Sequence, residues 1–384
     1  MPHENERAEN ALNSVYVDAE SLEEEDYKKL GLTESQLDRI ETISKYATAQ
    51  KGAVSVLVTL LTKKIITPSQ DVRFHRKDLD NGFSGRTLDT KIITPFMLKK
   101  FGIHFAMAES GWLTRSFEQP YPYTLTYKGK ISSTVKMPFL NILNDIELLG
   151  VDPEAYLKIL LAKLILQKKD YDQTITNTIS KKIEGVVTIS GIMMILKEFF
   201  NSAGSRSPVI AVKTILDLLL DEIIRYKGKK IPALEAHTTS DRKSGSSGDI
   251  LIKDNGATFE SFEIKHNIQI DSRIILNVKD KLAKTPVPRY FILTTSEKTI
   301  DSDYAADVQE TINEIYQQFG CDVIISNLQE FISSNLIILQ NPIDFLNLFG
   351  KNLAEDSKLH GSFTKKQLVL WQNIIEDIIK KFEK

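Results

Sequence analysis

Gly248-Asp249-Ile250-Leu251-Ile252-Lys253-Asp254-Asn255-Gly256, followed after two residues by Phe259-Glu260-Ser261-Phe262-Glu263-Ile264-Lys265, reads as two adjacent strands joined by a tight turn. Asn-Gly between apolar runs is a hairpin signal, because both residues tolerate the positive φ such turns need. Side chains alternate along a strand, so Glu263 and Lys265 share one face. Asp249 opens the neighbouring strand. The pattern therefore brings two carboxylates and a lysine together at a sheet edge.

Outward from this hairpin the chain is α/β. Residues 209–226 form an amphipathic helix built on Ile215, Leu218, Leu219, Ile223 and Tyr226. Residues 231–237 read as a strand, and 238–248 as a basic Ser/Gly-rich loop. After the hairpin come a helix over 271–282, a strand over 289–295, a helix over 304–319 and a strand over 322–326. A last helix, 364–382, carries Leu368, Trp371, Ile375, Ile378 and Phe382 on one stripe. Towards the N-terminus, 35–66 has helical periodicity, 70–135 is rich in turn signals and aromatics, and short helical stretches cover 95–101, 153–169 and 189–200. Asn201-Ser202-Ala203-Gly204-Ser205-Arg206-Ser207-Pro208 has linker composition. Three regions are expected: an acidic, loosely ordered leader (1–35), a mainly helical region with an irregular segment (36–205), and an α/β domain with C-terminal helices (206–384).

The chain has 384 residues, 42% of them hydrophobic and 26% charged, the make-up of a soluble globular protein. The net charge of −2 divides into −7 over residues 1–40 and +5 over the rest, and a mildly basic body suits a polyanionic partner. The N-terminus lacks the pattern of a signal or transit peptide, and no apolar run reaches bilayer-spanning length, so a cytoplasmic location is expected. A lone cysteine, Cys321, excludes an internal disulfide and a cysteine-rich zinc site; its place at the start of a strand suits a buried small hydrophobe.

Two acids and a lysine suit phosphodiester hydrolysis. A hard divalent cation such as Mg2+ prefers oxygen ligands and keeps several waters, so one or two carboxylates suffice to hold it. The cation then lowers the pKa of a bound water and draws charge from the phosphate. Asp249 and Glu263 are the candidate metal ligands, with Glu235 (or Glu222 on the preceding helix) as a third acid. Lys265 is assigned to orienting the water and stabilising developing charge. It would act as a base only if burial lowered its pKa, and two adjacent carboxylates oppose that.

The order of helix, strand, strand with Asp, strand with Glu-x-Lys, helix and strand resembles the α-β-β-β-α-β core of the PD-(D/E)xK nucleases. Here the motif reads Gly248-Asp249, thirteen residues, then Glu263-Ile264-Lys265, with Gly248 where the motif name has proline. The resemblance covers about residues 209–300. It implies that the Ile264 carbonyl completes the metal shell. It also implies a type II restriction endonuclease, a homodimer that cuts duplex DNA at a symmetric site, paired with a cognate DNA methyltransferase. A structure-selective repair or junction-resolving nuclease and a non-catalytic DNA-binding protein are the alternatives.

DNA contacts are expected from Arg242 and Lys243 in the basic loop, gripping the backbone. Arg86, Arg115 and Gln119 in the turn-rich segment are candidate base readers, since Arg pairs with guanine and Gln with adenine in the major groove. His237 stands within reach of a phosphate. His266 falls on the strand face opposite Lys265 and is assigned to packing or hydrogen bonding.

Overall fold

The computed structural model describes residues 4–114, 116–180, 183, 187–235 and 248–382. The chain is mixed α/β and forms two compact units, Met1–Gln173 and Thr174–Lys384, the division falling inside one long helix.

The first unit is helical. Helix α1 (Glu4–Glu20) replaces the expected loose leader: Ala8, Leu12, Val15, Tyr16 and Ala19 recur every three or four residues and are buried. The acidic composition hides that stripe, which packs on α3. The expected helix over 35–66 is two helices, α2 (Glu34–Lys45) and α3 (Lys51–Ile66). Thr33 and Gln36 close a reciprocal capping box at the start of α2. A short helical passage leads into α4 (Thr94–Phe101), followed by α5 (Ser133–Leu148) and α6 (Pro153–Ser180). The turn-rich segment is organised by a buried carboxylate. Asp89 accepts from Ser55 Oγ at 2.8 Å, Thr94 Oγ1 at 3.1 Å, Ser110 Oγ at 2.6 Å and Gly111 N–H at 2.8 Å. Four donors satisfy a charge that burial would otherwise penalise.

In the second unit, α7 (Ile189–Ala203) ends at Gly204 with φ +77°, and α8 (Arg206–Glu222) starts two residues later. The expected linker is therefore a tight helix–helix corner. Arg206 is fixed there by a buried bidentate pair with Asp356, its closer contact 2.6 Å.

The sheet has order β1-β2-β3-β4: β1 (Ile250–Asp254) antiparallel to β2 (Ala257–Lys265), then β3 (Arg289–Thr294) and β4 (Asp322–Asn327) parallel to it. Asn255 (φ 48°) and Gly256 (φ 89°) make the two-residue turn between β1 and β2. Helix α9 (Ser272–Leu282) crosses from β2 to β3, and α10 (Ala305–Phe319) from β3 to β4. Their apolar stripes cover one sheet face, where Ile275, Val278, Leu282, Tyr290, Ile292 and Ile315 are buried together. Cys321 belongs to the same core, as a buried small hydrophobe. On the opposite face Phe262 stacks on Phe291 with centroids 4.6 Å apart, against Phe331 of α11 (Leu328–Ile338). Helices α12 (Ile343–His360) and α13 (Lys365–Phe382) complete the unit; Leu368, Trp371, Ile375 and Ile378 of α13 are buried, as the stripe requires.

The expected strand over 231–237 does not form within its described part, 231–235; only Lys230 bridges, to Lys253. Pro232 has no N–H to give a ladder, and four of the five side chains from 231 to 235 point at least partly to solvent. No described helix is long and apolar enough to cross a membrane.

Candidate active site

A β-bulge sets the site. Near the turn, Asp254 faces Ala257 and Lys253 faces Thr258; past the bulge, Ile252 faces Glu260 and Ile250 faces Phe262. Phe259 is the extra residue. Extending the upper register by one step puts Asp249 across from Glu263. Without the bulge Asp249 would lie across from Phe262, on the other face of the sheet.

Gly248 makes the close approach possible. A Cβ there would lie 2.5 Å from Ser261 Oγ and 2.8 Å from the Phe262 carbonyl oxygen. The motif's proline could not occupy this backbone without displacing it.

Asp249 Oδ2 accepts the Ile264 N–H at 2.7 Å. The two backbone groups of a strand residue point to the same neighbour, so the Ile264 carbonyl faces the side Asp249 occupies. Glu263 is buried and held at both oxygens. Lys265 Nζ donates to Oε1 at 2.6 Å, while Lys281 Nζ and Tyr290 OH donate to Oε2 at 2.9 and 3.0 Å. Lys281 comes from α9 and Tyr290 from β3, so three consecutive elements converge on one carboxylate.

The two acids are driven in opposite directions. Asp249 keeps contact with solvent, yet the chain crowds its carboxyl group. That desolvation, with the negative Glu263 beside it, pushes its pKa up to about 6. Burial would raise Glu263 too, but Lys265 and Lys281 outweigh it and hold that carboxyl below its ordinary value. The result is one carboxylate held ionised by its lysines, Glu263, and one whose charge its surroundings oppose, Asp249.

The oxygens of Asp249 and Glu263 and the Ile264 carbonyl form a hard donor set of the kind Mg2+ takes. Among the described residues no third acid, histidine or cysteine joins Asp249 and Glu263 in a metal-holding group. Glu235 is exposed on the non-strand segment, and Glu222 Oε2 accepts the Gln340 N–H at 2.8 Å. A different buried acid, Glu260, lies on the other sheet face, bound by Arg225, by Tyr226 OH at 3.0 Å and by Arg289 at 3.3 Å.

Of the expected DNA contacts, Arg86 is half exposed and ion-paired to Glu118 at 2.7 Å, and Gln119 is partly buried. Arg115, Arg242, Lys243 and His237 lie outside the described residues. His266 Nδ1 is 3.0 Å from Thr295 Oγ1, the hydrogen-bonding role its position gives it.

Lys281 and Tyr290 escape a sequence reading. The available signal for Lys281 is its place three residues after Val278 and one before Leu282, beside the buried stripe of α9. Nothing in the sequence separates it from Lys279, which turns outward to Glu314 at 2.7 Å. Comparison with protein-family models and with curated proteins returns no match.

Proposed function

We propose that the chain is a magnesium-dependent endonuclease of the type II restriction class, hydrolysing phosphodiester bonds in duplex DNA. The observation that carries this reading is the shared face of Asp249, Glu263 and Lys265, with two lysines bracketing one buried carboxylate. The order α8, β1, β2, α9, β3 supports a PD-(D/E)xK-like core whose first strand is reduced to the Lys230–Lys253 bridge.

Magnesium held by Asp249, Glu263 and the Ile264 carbonyl would supply Lewis acidity and a water of lowered pKa. The chain's own groups do the rest. Lys265 sits beside Glu263 with its side chain partly exposed, placed to direct an attacking water and to offset charge developing on the phosphate. Lys281 keeps Glu263 ionised and fixed, so the site needs little rearrangement as charge builds. Without metal, burial and the Glu263 charge raise the Asp249 carboxyl to about 6, and a bound cation would favour its ionised form. A homodimer acting on a symmetric site, and a partner methyltransferase that protects the host's copies of that site, complete the proposal.

Digestion of unmethylated phage DNA with and without magnesium tests it. Discrete fragments that need the metal and vanish in Glu263→Gln are expected. Nicking confined to junctions or flaps would move the activity to a structure-selective nuclease. DNA retention without cleavage at any metal concentration would leave only a binding protein.

A further inference from the structure

A cavity of about 1030 Å³ opens beside the candidate site, at the carboxyl ends of the parallel strands β2, β3 and β4. That is where open α/β sheets characteristically receive ligands. Its wall begins at His266, one residue past Lys265, and Lys265 C=O accepts the Thr295 N–H at 3.0 Å, so the two sites share one rigid strand end.

The lining is pre-organised. Thr295 Oγ1 accepts the Asn267 N–H at 2.8 Å, and Asn327 Nδ2 donates to the Ser296 carbonyl at 3.0 Å. Asn327 Oδ1 accepts from the backbone of Gln329 and Glu330. Against this polar floor stand Met193, Met194 and Phe200 of α7, an apolar, polarisable wall. Gln329 is the unsettled member. Its Oε1 is shielded from solvent and has no donor among the described residues, so the amide loses no hydrogen bond to them at that oxygen by turning it towards a ligand.

Charge narrows the ligand. Lys197 and Lys298 at the rim are balanced by Glu297 and Glu330, so the cavity offers no net attraction for a phosphate. It offers amides, hydroxyls and an apolar face, the groups that read a base edge and stack on its plane.

We propose that this cavity receives one unstacked nucleobase, its edge read by Gln329 and its plane laid on the α7 methionines, with the sugar-phosphate left at the mouth. The base comes either from a DNA strand crossing the site, which rests on the nuclease reading, or from a free nucleoside, which does not.

Calorimetric titration of the full chain in EDTA separates these, since no cleavage is possible there. The probes are the four deoxynucleosides, their 5′-monophosphates and single-stranded pentanucleotides. For a free ligand, nucleoside and monophosphate bind alike; for a strand ligand, only the pentanucleotides bind. In either case Ser333→Trp, which puts an indole ring into the cavity, weakens binding at least about tenfold, and Gln329→Leu does so for the preferred base. Should Ser333→Trp fail to fold, Gln329→Leu on its own decides. No binding by any probe, or binding untouched by the folded variants, overturns the proposal. Magnesium-dependent cleavage measured separately shows whether the nuclease reading stands.

Discussion

Glu263→Gln separates the structural and chemical roles of the central carboxylate. The change keeps shape but removes the charge that balances Lys265 and Lys281. Breaking a buried ion pair from one side costs about 3–5 kcal/mol. Here the cost is smaller, because the Lys265 and Lys281 side chains remain 25% and 18% exposed and can turn to water. The amide also retains a hydrogen bond to Tyr290. A loss of about 2–3 kcal/mol follows. For a cooperative unit the size of Thr174–Lys384, that lowers Tm by about 4–12 °C. The pH dependence is the sharper test. The Glu263 carboxyl lies below its ordinary value of 4.5 in the folded chain, so its contribution is complete above that pH and fades as pH falls through the folded value. The gap between wild type and variant should be full at neutral pH and close in acid. Melting curves followed by circular dichroism across that range measure it. Removing Lys281 as well, in Glu263→Gln/Lys281→Met, should recover part of the loss by deleting a stranded cation. Equal melting temperatures at neutral pH, or a gap that persists in acid, would refute the assignment of Glu263 as the anion that Lys265 and Lys281 hold ionised.

Asp249→Asn should abolish cleavage yet leave the chain at least as stable as wild type at alkaline pH. The folded chain favours the protonated acid, so the native carboxylate loses stability as pH rises from 3.8 through about 6; a variant that melts well below wild type at alkaline pH would contradict this. The rate of DNA cleavage at saturating magnesium should fall on the acid side with a limb at or below about pH 6, since bound metal favours the ionised acid. An acid limb lying well above pH 6 would assign the loss to a group other than Asp249. Gly248→Ala should cost cleavage far more than stability, because relief of the 2.8 Å approach to the Phe262 carbonyl moves the Asp249 backbone. In the other unit, Asp89→Ala strands the donors of Ser55, Thr94, Ser110 and Gly111. It should lower stability by about 3 kcal/mol or more in urea titration, whereas a change under 1 kcal/mol would mean water replaces the carboxylate.

The second unit was the more legible in sequence, for physical reasons. Its strands are short apolar and aromatic runs bounded by turn residues, its helices carry clean stripes, and Asn255-Gly256 dictates its own turn, so element positions follow from local chemistry. Local chemistry misleads where tertiary contact decides. The acidic residues around α1 look solvated until its Ala8-Leu12-Val15-Tyr16-Ala19 stripe meets α3. The Ser/Gly run at 201–208 looks like a tether until Arg206 finds Asp356, 150 residues away. The lysine at Glu263 Oε2 is likewise a non-local fact: α9 supplies Lys279 and Lys281, and only the angle at which the helix crosses the sheet selects the second. Glu260 was invisible as a buried acid because its partners Arg225 and Arg289 flank it from opposite directions along the chain.

The deepest dependence is on one surplus residue. A regular two-residue hairpin closing at Asn255-Gly256 would put Asp249 and Glu263 on opposite faces, and no local pattern announces that Phe259 is looped out to prevent it. The bulge is held from outside the ladder: Lys229 Nζ lies 4.3 Å, and the Arg225 guanidinium 5.0 Å, from the Phe259 ring centre. Two changes at this point should act alike. Deleting Phe259 leaves Ile252 facing Glu260 and Lys253 facing Thr258, so the strands pair without interruption and Asp249 stays opposite Glu263. Inserting one residue between Ile252 and Lys253 gives Phe259 a partner instead, which also removes the bulge and keeps Asp249 opposite Glu263. Metal-dependent cleavage should therefore survive both changes. If both inactivate the chain while it remains folded, the bulge matters for its own shape and not for the face it selects.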